Sequence, residues 1–216
     1  MSREVKAKRP YTSQRRAQAA RETKERIGDA ALEAFRENGY TTTTIEDIAE
    51  AAGVAPATVY KVFGSKREIL RTVVHARMAG DPAGGDVMKQ DWWREQIGET
   101  DPVRQLALIS RNARDIYQRA GDVIEVVFAA AASDEEIRDL RDDIEQARVR
   151  RSRTTARSLQ TKPGARRDLG RDVVADVLWS LTAPELYLRL VNARRWSRDA
   201  YQRWLTEMLC SALLTR

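Results

Sequence analysis

Residues 41–70, TTTTIEDIAEAAGVAPATVYKVFGSKREIL, constrain the fold of this chain more than any other segment. Ile45, Ile48, Ala49 and Ala52 recur at helical spacing and put one apolar stripe on a helix of about two turns. Thr43 or Thr44 can cap its start, and Thr43 with Glu46 fits the box in which a hydroxyl and a carboxylate satisfy exposed backbone donors. Gly53 follows the last apolar residue, where a left-handed backbone costs least without a Cβ. Pro56 suits the first turn of a second helix, because the N–H it lacks would have had no helical partner there. Within that helix Val59 and Phe63 fall four apart and face inward, leaving Ala57, Thr58, Tyr60 and Lys61 facing out. Ser65-Lys66-Arg67-Glu68 is another capping box, and Ile69, Leu70, Val73 and Val74 carry an apolar stripe onward. The result is a helix-turn-helix leading into a connector helix. Small residues, a hydroxyl, a phenol and an ammonium on the second helix can lie in a major groove and touch bases and phosphates, so double-stranded DNA is the expected partner.

A further helical stretch, Ile27, Ala30, Ala31, Leu32, Ala34 and Phe35, precedes this segment and ends at Asn38-Gly39-Tyr40. Taken together, roughly residues 24–75 resemble the DNA-binding domain of the tetracycline-repressor (TetR) family. The resemblance rests on an ordered combination: F-x-x-x-G-Y, then T-x-x-D-I-A-x-x-A-G-V, then T-V-Y-x-x-F-x-S-K-x-x-I-L. It implies that Thr44 meets phosphate and that Thr58 and Tyr60 enter the groove, with Tyr60 on the DNA backbone. It further implies that Lys66 holds a phosphate through its ammonium and the helix-end donors. Pro56 opens this reading helix, and Ala57 and Lys61 face the DNA by geometry. Two positions depart from the pattern. Ala55 stands where the family often has a capping Ser, so the reading helix starts less firmly. Val62 stands where it often has His or Tyr, which removes one common DNA contact.

Charge points the same way. The chain of 216 residues carries a formal net charge of +6, and residues 1–26 hold nine Lys/Arg against three Glu. The remainder is formally neutral, so the excess sits beside the proposed reading head, where basic groups displace counterions from phosphates. Residues 1 to about 12 read as a flexible basic arm, with Pro10 arguing against helix before it. The expected organisation is an arm over residues 1–20, a DNA-binding domain over 21–70 and an effector-binding and dimerisation domain over 71–216.

Beyond residue 75 the periodicity stays helical and nothing alternates like a strand, so the expected class is all-α. Breaks fall at Asp81-Pro82-Ala83-Gly84-Gly85, between Gly98 and Pro102, and at Lys162-Pro163-Gly164. After Pro102, Leu106, Ile109, Ala113 and Ile116 or Tyr117 suggest one helix, and Val123, Ile124, Val127 and Phe128 a second, shorter one. Ser133-Asp134-Glu135-Glu136 can cap a long helix through Ile137, Leu140 and Ile144. Val173 to Leu190 and Tyr201 to Leu213 supply two broad apolar stripes, which can pair with their copies across a two-fold axis or pack within the monomer. The family resemblance implies the homodimer, with a palindromic operator read by two heads.

The resemblance also implies a small-molecule effector that shifts the connector helix. Trp92, Trp93, Tyr117, Phe128 and Trp179 are candidate walls of its pocket, although such residues also fill ordinary cores. Trp92-Trp93 beside glycines suggests a loop acting as a lid. His75, the one histidine, falls late in the connector, and Cys210 sits among Met208, Leu209 and Leu213 as a packing residue. The arginines Arg148, Arg150, Arg151, Arg153 and Arg157 could form a second nucleic-acid surface, but read better as a solvated helix face answering Asp139, Asp142, Asp143 and Glu145. No nucleophile elbow, phosphate-cradling glycine loop or acid–base constellation stands out, so neither catalytic residues nor a cofactor is expected. One His and one Cys cannot supply a zinc ligand set. No stretch suits a signal peptide or a membrane span, and a cytoplasmic location is expected. The expected function is transcriptional regulation, with repression implied by the family. The alternative is a helical sensor or structural protein whose basic arm binds nucleic acid or a membrane surface nonspecifically.

Overall fold

The computed structural model describes residues 10–81 and 85–215. Its elements are helices, joined by one isolated antiparallel bridge between Ala165 and Leu214. Two compact units follow one another along the chain, the first ending at Leu70 and the second beginning at Arg71.

In the first unit, α1 (Pro10–Asn38) is followed by α2 (Ile45–Ala51), α3 (Pro56–Phe63) and the start of α4 (Lys66–Ala79). Its core is the set that helical spacing selects: Ile27, Ala31, Phe35, Ile48, Val59 and Ile69 are buried. Helix begins at Pro10, so residues 10–20 are helical where a flexible arm is expected from sequence. Proline fits the opening turn of a helix, and no later residue stops it until Gly39, whose φ of +84° lies in the left-handed region. The part of the expected arm before residue 10 lies outside the described residues.

The second unit begins within α4, which crosses from the first as one uninterrupted helix. After a 3₁₀ turn at Val87–Lys89 come α5 (Asp91–Gly98), α6 (Pro102–Ala130), α7 (Glu135–Leu159), α8 (Arg171–Leu181), α9 (Pro184–Tyr187) and α10 (Arg198–Leu213). α7 packs on α8 and α10 packs on α6. The two helices expected after Pro102 are one. Gly121 is buried inside α6, and burial of the helix on both sides of it, at Ala120, Val123 and Ile124, carries the helix through the weak propensity of glycine. Conversely, the stripe from Val173 to Leu190 breaks at Thr182, because Pro184 cannot continue a helix and restricts the residue before it. Leu188–Ala193 then forms a wider, π-type turn. Asp101, Asp134 and Ser197 cap α6, α7 and α10 through their side chains.

The apolar stripes of the last helices are divided between interior and surface. Val174, Leu178, Tyr201, Leu205, Leu209 and Leu213 are buried within the chain, whereas Val173, Trp196 and Met208 stand exposed. Tyr117, Tyr187, Tyr201, Trp204 and Trp196 form a continuous aromatic series, with successive ring centroids 5.0 to 6.2 Å apart. Leu205 sits at full burial beside this series. Its truncation to Ala is expected to cost about 2–5 kcal/mol, read as a lower urea midpoint with an unchanged slope. A shift within the spread of surface substitutions would contradict the packing described.

Candidate nucleic-acid interface and ligand cavity

The turn between α2 and α3 is built from backbone bonds. Ala52 N–H donates to Ile48 O (2.9 Å), Gly53 N–H to Glu50 O (3.0 Å) and Val54 N–H to Ala49 O (2.9 Å), with Gly53 at φ +63°. α2 is capped by Thr44, not Thr43: Thr44 Oγ1 accepts from Asp47 N–H at 3.1 Å and Asp47 Oδ2 accepts from Thr44 N–H at 2.9 Å. That backbone donor, with the Thr44 hydroxyl, holds the Asp47 carboxyl below its ordinary range. The box therefore lies one residue later than Thr43 with Glu46. Thr43 is instead buried, its hydroxyl placed 2.8 Å from Gly39 O and 3.1 Å from Ala34 O. Four consecutive threonines offer similar caps, and only the packing against α1 separates the roles of Thr43 and Thr44.

α3 begins without a side-chain cap, as Ala55 dictates, and Pro56 occupies its first turn. Val59 and Phe63 are buried. Pro56, Ala57 and Lys61 are exposed, Thr58 is half-buried, and Tyr60 keeps 50% of its surface in solvent. Val62 is also exposed, at 36%. Thr44, at the head of α2, is exposed as well. A short helix thus presents a methyl, a hydroxyl, a phenol and an ammonium outward from a firmly seated apolar back.

Lys66 has a structural role that the sequence does not announce. Its ammonium donates to Tyr40 O at 2.7 Å, to Thr43 O at 2.8 Å and to Thr41 O at 3.4 Å, and lies 4.5 Å from the Tyr40 ring centroid. The carbonyls that leave α1 and approach α2 lack helical donors, and this ammonium satisfies them.

The second unit contains a cavity of about 80 Å³ whose walls include Trp92, Trp93 and Tyr117, and a groove of about 640 Å³ along α4 and α7. Phe128 and Trp179 line neither. Trp179 is exposed at 36%, with its indole N–H on Glu145 Oε2 at 3.0 Å. Trp92 and Trp93 lie on α5, not on a loop, and meet edge to face at 6.3 Å; Trp93 and Gln96 form the buried side of that helix. The cavity wall is mixed, with Ile109, Ile116 and Leu178 beside Gln96, Asn112, Arg148 and Arg151. Buried Gln96 accepts from Asn112 Nδ2 (3.0 Å), and Tyr117 donates to Thr182 O (2.5 Å). Burial raises the Tyr117 pKa.

Sequence reasoning mistook the arginine series. Arg148 is buried, donating to both oxygens of Glu145 (2.8 and 2.7 Å) and to Trp179 O (2.7 Å). Burial opposes its charge, and the surrounding oxygens of Tyr117 and Glu145 outweigh that opposition. Arg151 lines both the cavity and the groove. Arg150, Arg153 and Arg157 do face solvent. The signal lay in register: Ile137, Leu140 and Ile144 define the inner stripe of α7, and Arg148, Arg151 and Thr155 continue it.

Residues 27–73 match the family model for bacterial regulatory proteins of the tetR family. The HTH-type transcriptional regulator SrpR of Pseudomonas putida is 44% identical over 61 residues, which is 28% of this chain and 29% of that protein. The chain covers less than half the length of the curated relatives it matches most strongly. The fold extends further than the sequence likeness. A SmeT–triclosan complex superposes with a TM-score of 0.71 at 21% identity, covering 89% of this chain and 92% of the other. The regulator FadR of Bacillus subtilis, in complex with stearoyl-CoA, superposes at 0.67 and 19% identity, covering 87% and 97%.

Lys66→Met tests the structural role of that side chain. With three carbonyls left without their donor, the first unit is expected to lose about 1–3 kcal/mol against denaturant. An unchanged stability would return the ammonium to the role of an outward phosphate contact.

Proposed function

We propose, from the premise that residues 27–73 belong to the tetR family of bacterial regulatory proteins, that this chain is a transcriptional repressor released from a palindromic operator by a small molecule. The observation that carries the reading is the two-sided surface of α3: Val59 and Phe63 anchor it, and Ala57, Tyr60 and Lys61 stand in solvent with no described partner element over them. In the major groove, Tyr60 and Thr58 would take backbone and groove-floor contacts, Lys61 a base edge or phosphate, and Pro56 and Ala57 the close approach at the helix start. Thr44 would bond a phosphate from the head of α2.

One such helix reads few base pairs, so the reading requires two copies. We place the homodimer on the outward residues of α8 and α10, where Val173 and Met208 expose apolar surface. Release follows from connectivity. α4 belongs to the reading unit at its start and to the ligand-bearing unit at its end. Arg77 on that second part is tied to Asp122 of α6 at 2.7 Å. A ligand that binds better when this part of α4 is displaced lowers operator affinity, and the operator lowers ligand affinity by the same factor. Triclosan and stearoyl-CoA, bound by two proteins of similar fold, differ so widely that ligand class has to be read from this chain's own cavity.

No helix among the described residues is long and apolar enough to cross a membrane. A nonspecific helical sensor remains the competing reading, and it predicts equal affinity for operator and scrambled duplex. Tyr60→Ala is expected to weaken operator binding by at least about 1 kcal/mol in fluorescence anisotropy while the dimer stays folded. Equal binding by the variant would remove Tyr60 from the interface. Met208→Glu is expected to shift sedimentation from dimer toward monomer, because a charge in an apolar interface costs several kcal/mol. An unaltered dimer would place the interface elsewhere.

A further inference from the structure

The cavity in the second unit is lined by two guanidiniums, Arg148 and Arg151, and by no carboxylate. Arg148 is neutralised from outside its walls by Glu145. Arg151 has no such relief. It is half-buried, it makes no hydrogen bond or ion pair with any described residue, and Arg148 and Arg150 both repel its charge. Asp86 attracts it only through space. Burial lowers the Arg151 pKa, the direction expected of a guanidinium lacking its counterion. A second donor shares the wall: the Trp92 indole N–H is buried without an acceptor among the described residues. A buried donor such as the Trp92 N–H is costly to leave unpaired, and with a half-buried guanidinium in the same wall the partner both would accept is an acceptor carrying negative charge.

Size sets the rest. About 80 Å³ holds a head group and little more, since whole small-molecule sites span roughly 300–1,000 Å³. The groove of about 640 Å³ falls within that range, and Arg151 belongs to both spaces. Its apolar lining comes from Met78, Val87, Met88, Ile144 and Ala147. Arg71, His75 and Arg150 lie around it against Asp86 and Asp143, so its formal charge is also positive. Arg71, His75 and Met78 are on α4.

We infer that the effector is an amphipathic anion whose head group bonds the Arg151 guanidinium and the Trp92 indole N–H while its apolar body lies in the groove between α4 and α7. The inference rests on the effector reading given above and supplies its chemical class. It also explains how occupancy reaches the reading unit: the body of the ligand lies against the half of α4 that continues, without interruption, from Lys66.

Isothermal titration of the full-length protein, without DNA, tests the class directly. The probes are decanoate, decyl phosphate and 2-naphthoate, beside the uncharged decanamide and 2-naphthamide. At least one anion is expected to bind saturably below about 1 mM, with its neutral counterpart at least tenfold weaker. Decanoate against decyl phosphate separates a carboxylate head from a phosphate head. Arg151→Gln is expected to weaken the bound anion at least tenfold. Trp92→Phe keeps the ring, removes only the donor, and is expected to weaken it several-fold, so the idea stays testable should Arg151→Gln fail to fold. Binding of neither carboxylate nor phosphate, equal binding of an amide, or an unaffected Trp92→Phe together with an unaffected Arg151→Gln would overturn the inference. Operator affinity, measured separately by anisotropy, reports the DNA reading. Its loss would sink that reading while the titrations still stood, and failed titrations would leave it intact.

Discussion

Three carbonyls at the junction of α1 and α2 point at one ammonium, and the arrangement of the reading unit depends on that meeting. Tyr40, Thr41 and Thr43 end one helix and approach another, so their carbonyls have no helical donors. Lys66, the first residue of α4, supplies them. Its charge also sits over the Tyr40 ring, which packs on Phe35 at 5.0 Å. The start of α4 is thereby fastened to the corner from which α2 and α3 project. Within the first unit, parting the start of α4 from that corner would break these charge-assisted bonds. A residue of the family motif that reads as a DNA contact also ties this corner together.

The second unit poses the opposite problem. Its long helix α7 carries charge into the interior. Leu140 and Ile144 are followed along the same stripe by Arg148, Arg151 and Thr155, and the neighbouring helices answer with Gln96, Asn112 and Tyr117. A core built for stability alone would place apolar side chains here, since buried ions seldom repay their desolvation. Arg148 is compensated by Glu145 and by the Trp179 carbonyl. Arg151 makes no hydrogen bond or ion pair with any described residue and the Trp92 indole N–H has no acceptor among them, and such local conflicts concentrate where a protein binds something. On the proposed reading, the arginine-bearing cavity would be the sensor and the continuous α4 its link to the first unit.

Much of this was legible in the sequence. The turn glycine at 53, the opening proline at 56, and the inward pair Val59 and Phe63 follow from backbone sterics and helical period, and the structure has each where those rules put it. The helical class and the breaks at Gly98–Pro102 and Pro163–Gly164 follow from the same rules. Other features depend on tertiary packing and were misjudged. Four threonines in a row cannot reveal which one caps; burial of Thr43 against α1 decides it. The two apolar runs after Pro102 read as separate helices until their common burial in α6 is seen. Pro10 resembles a barrier, yet the same chemistry suits a first turn. The aromatic residues drew attention as pocket walls, and Phe128 and Trp179 lie elsewhere. Composition alone does not separate an arginine that answers a surface carboxylate from one that faces inward. The register of α7 does, once Ile137 and Ile144 fix its inner side.

Specific recognition of DNA by paired α3 helices is the claim on which release and effector class both hang. Selection from random duplex DNA, with excess nonspecific competitor and about 150 mM salt to weaken the general phosphate attraction, tests it most directly. The account predicts enrichment of one two-fold-symmetric sequence, bound by a single dimer, with half-sites about one helical turn apart or a multiple of it. Recovery of no common sequence, with binding that vanishes as salt rises, would contradict it.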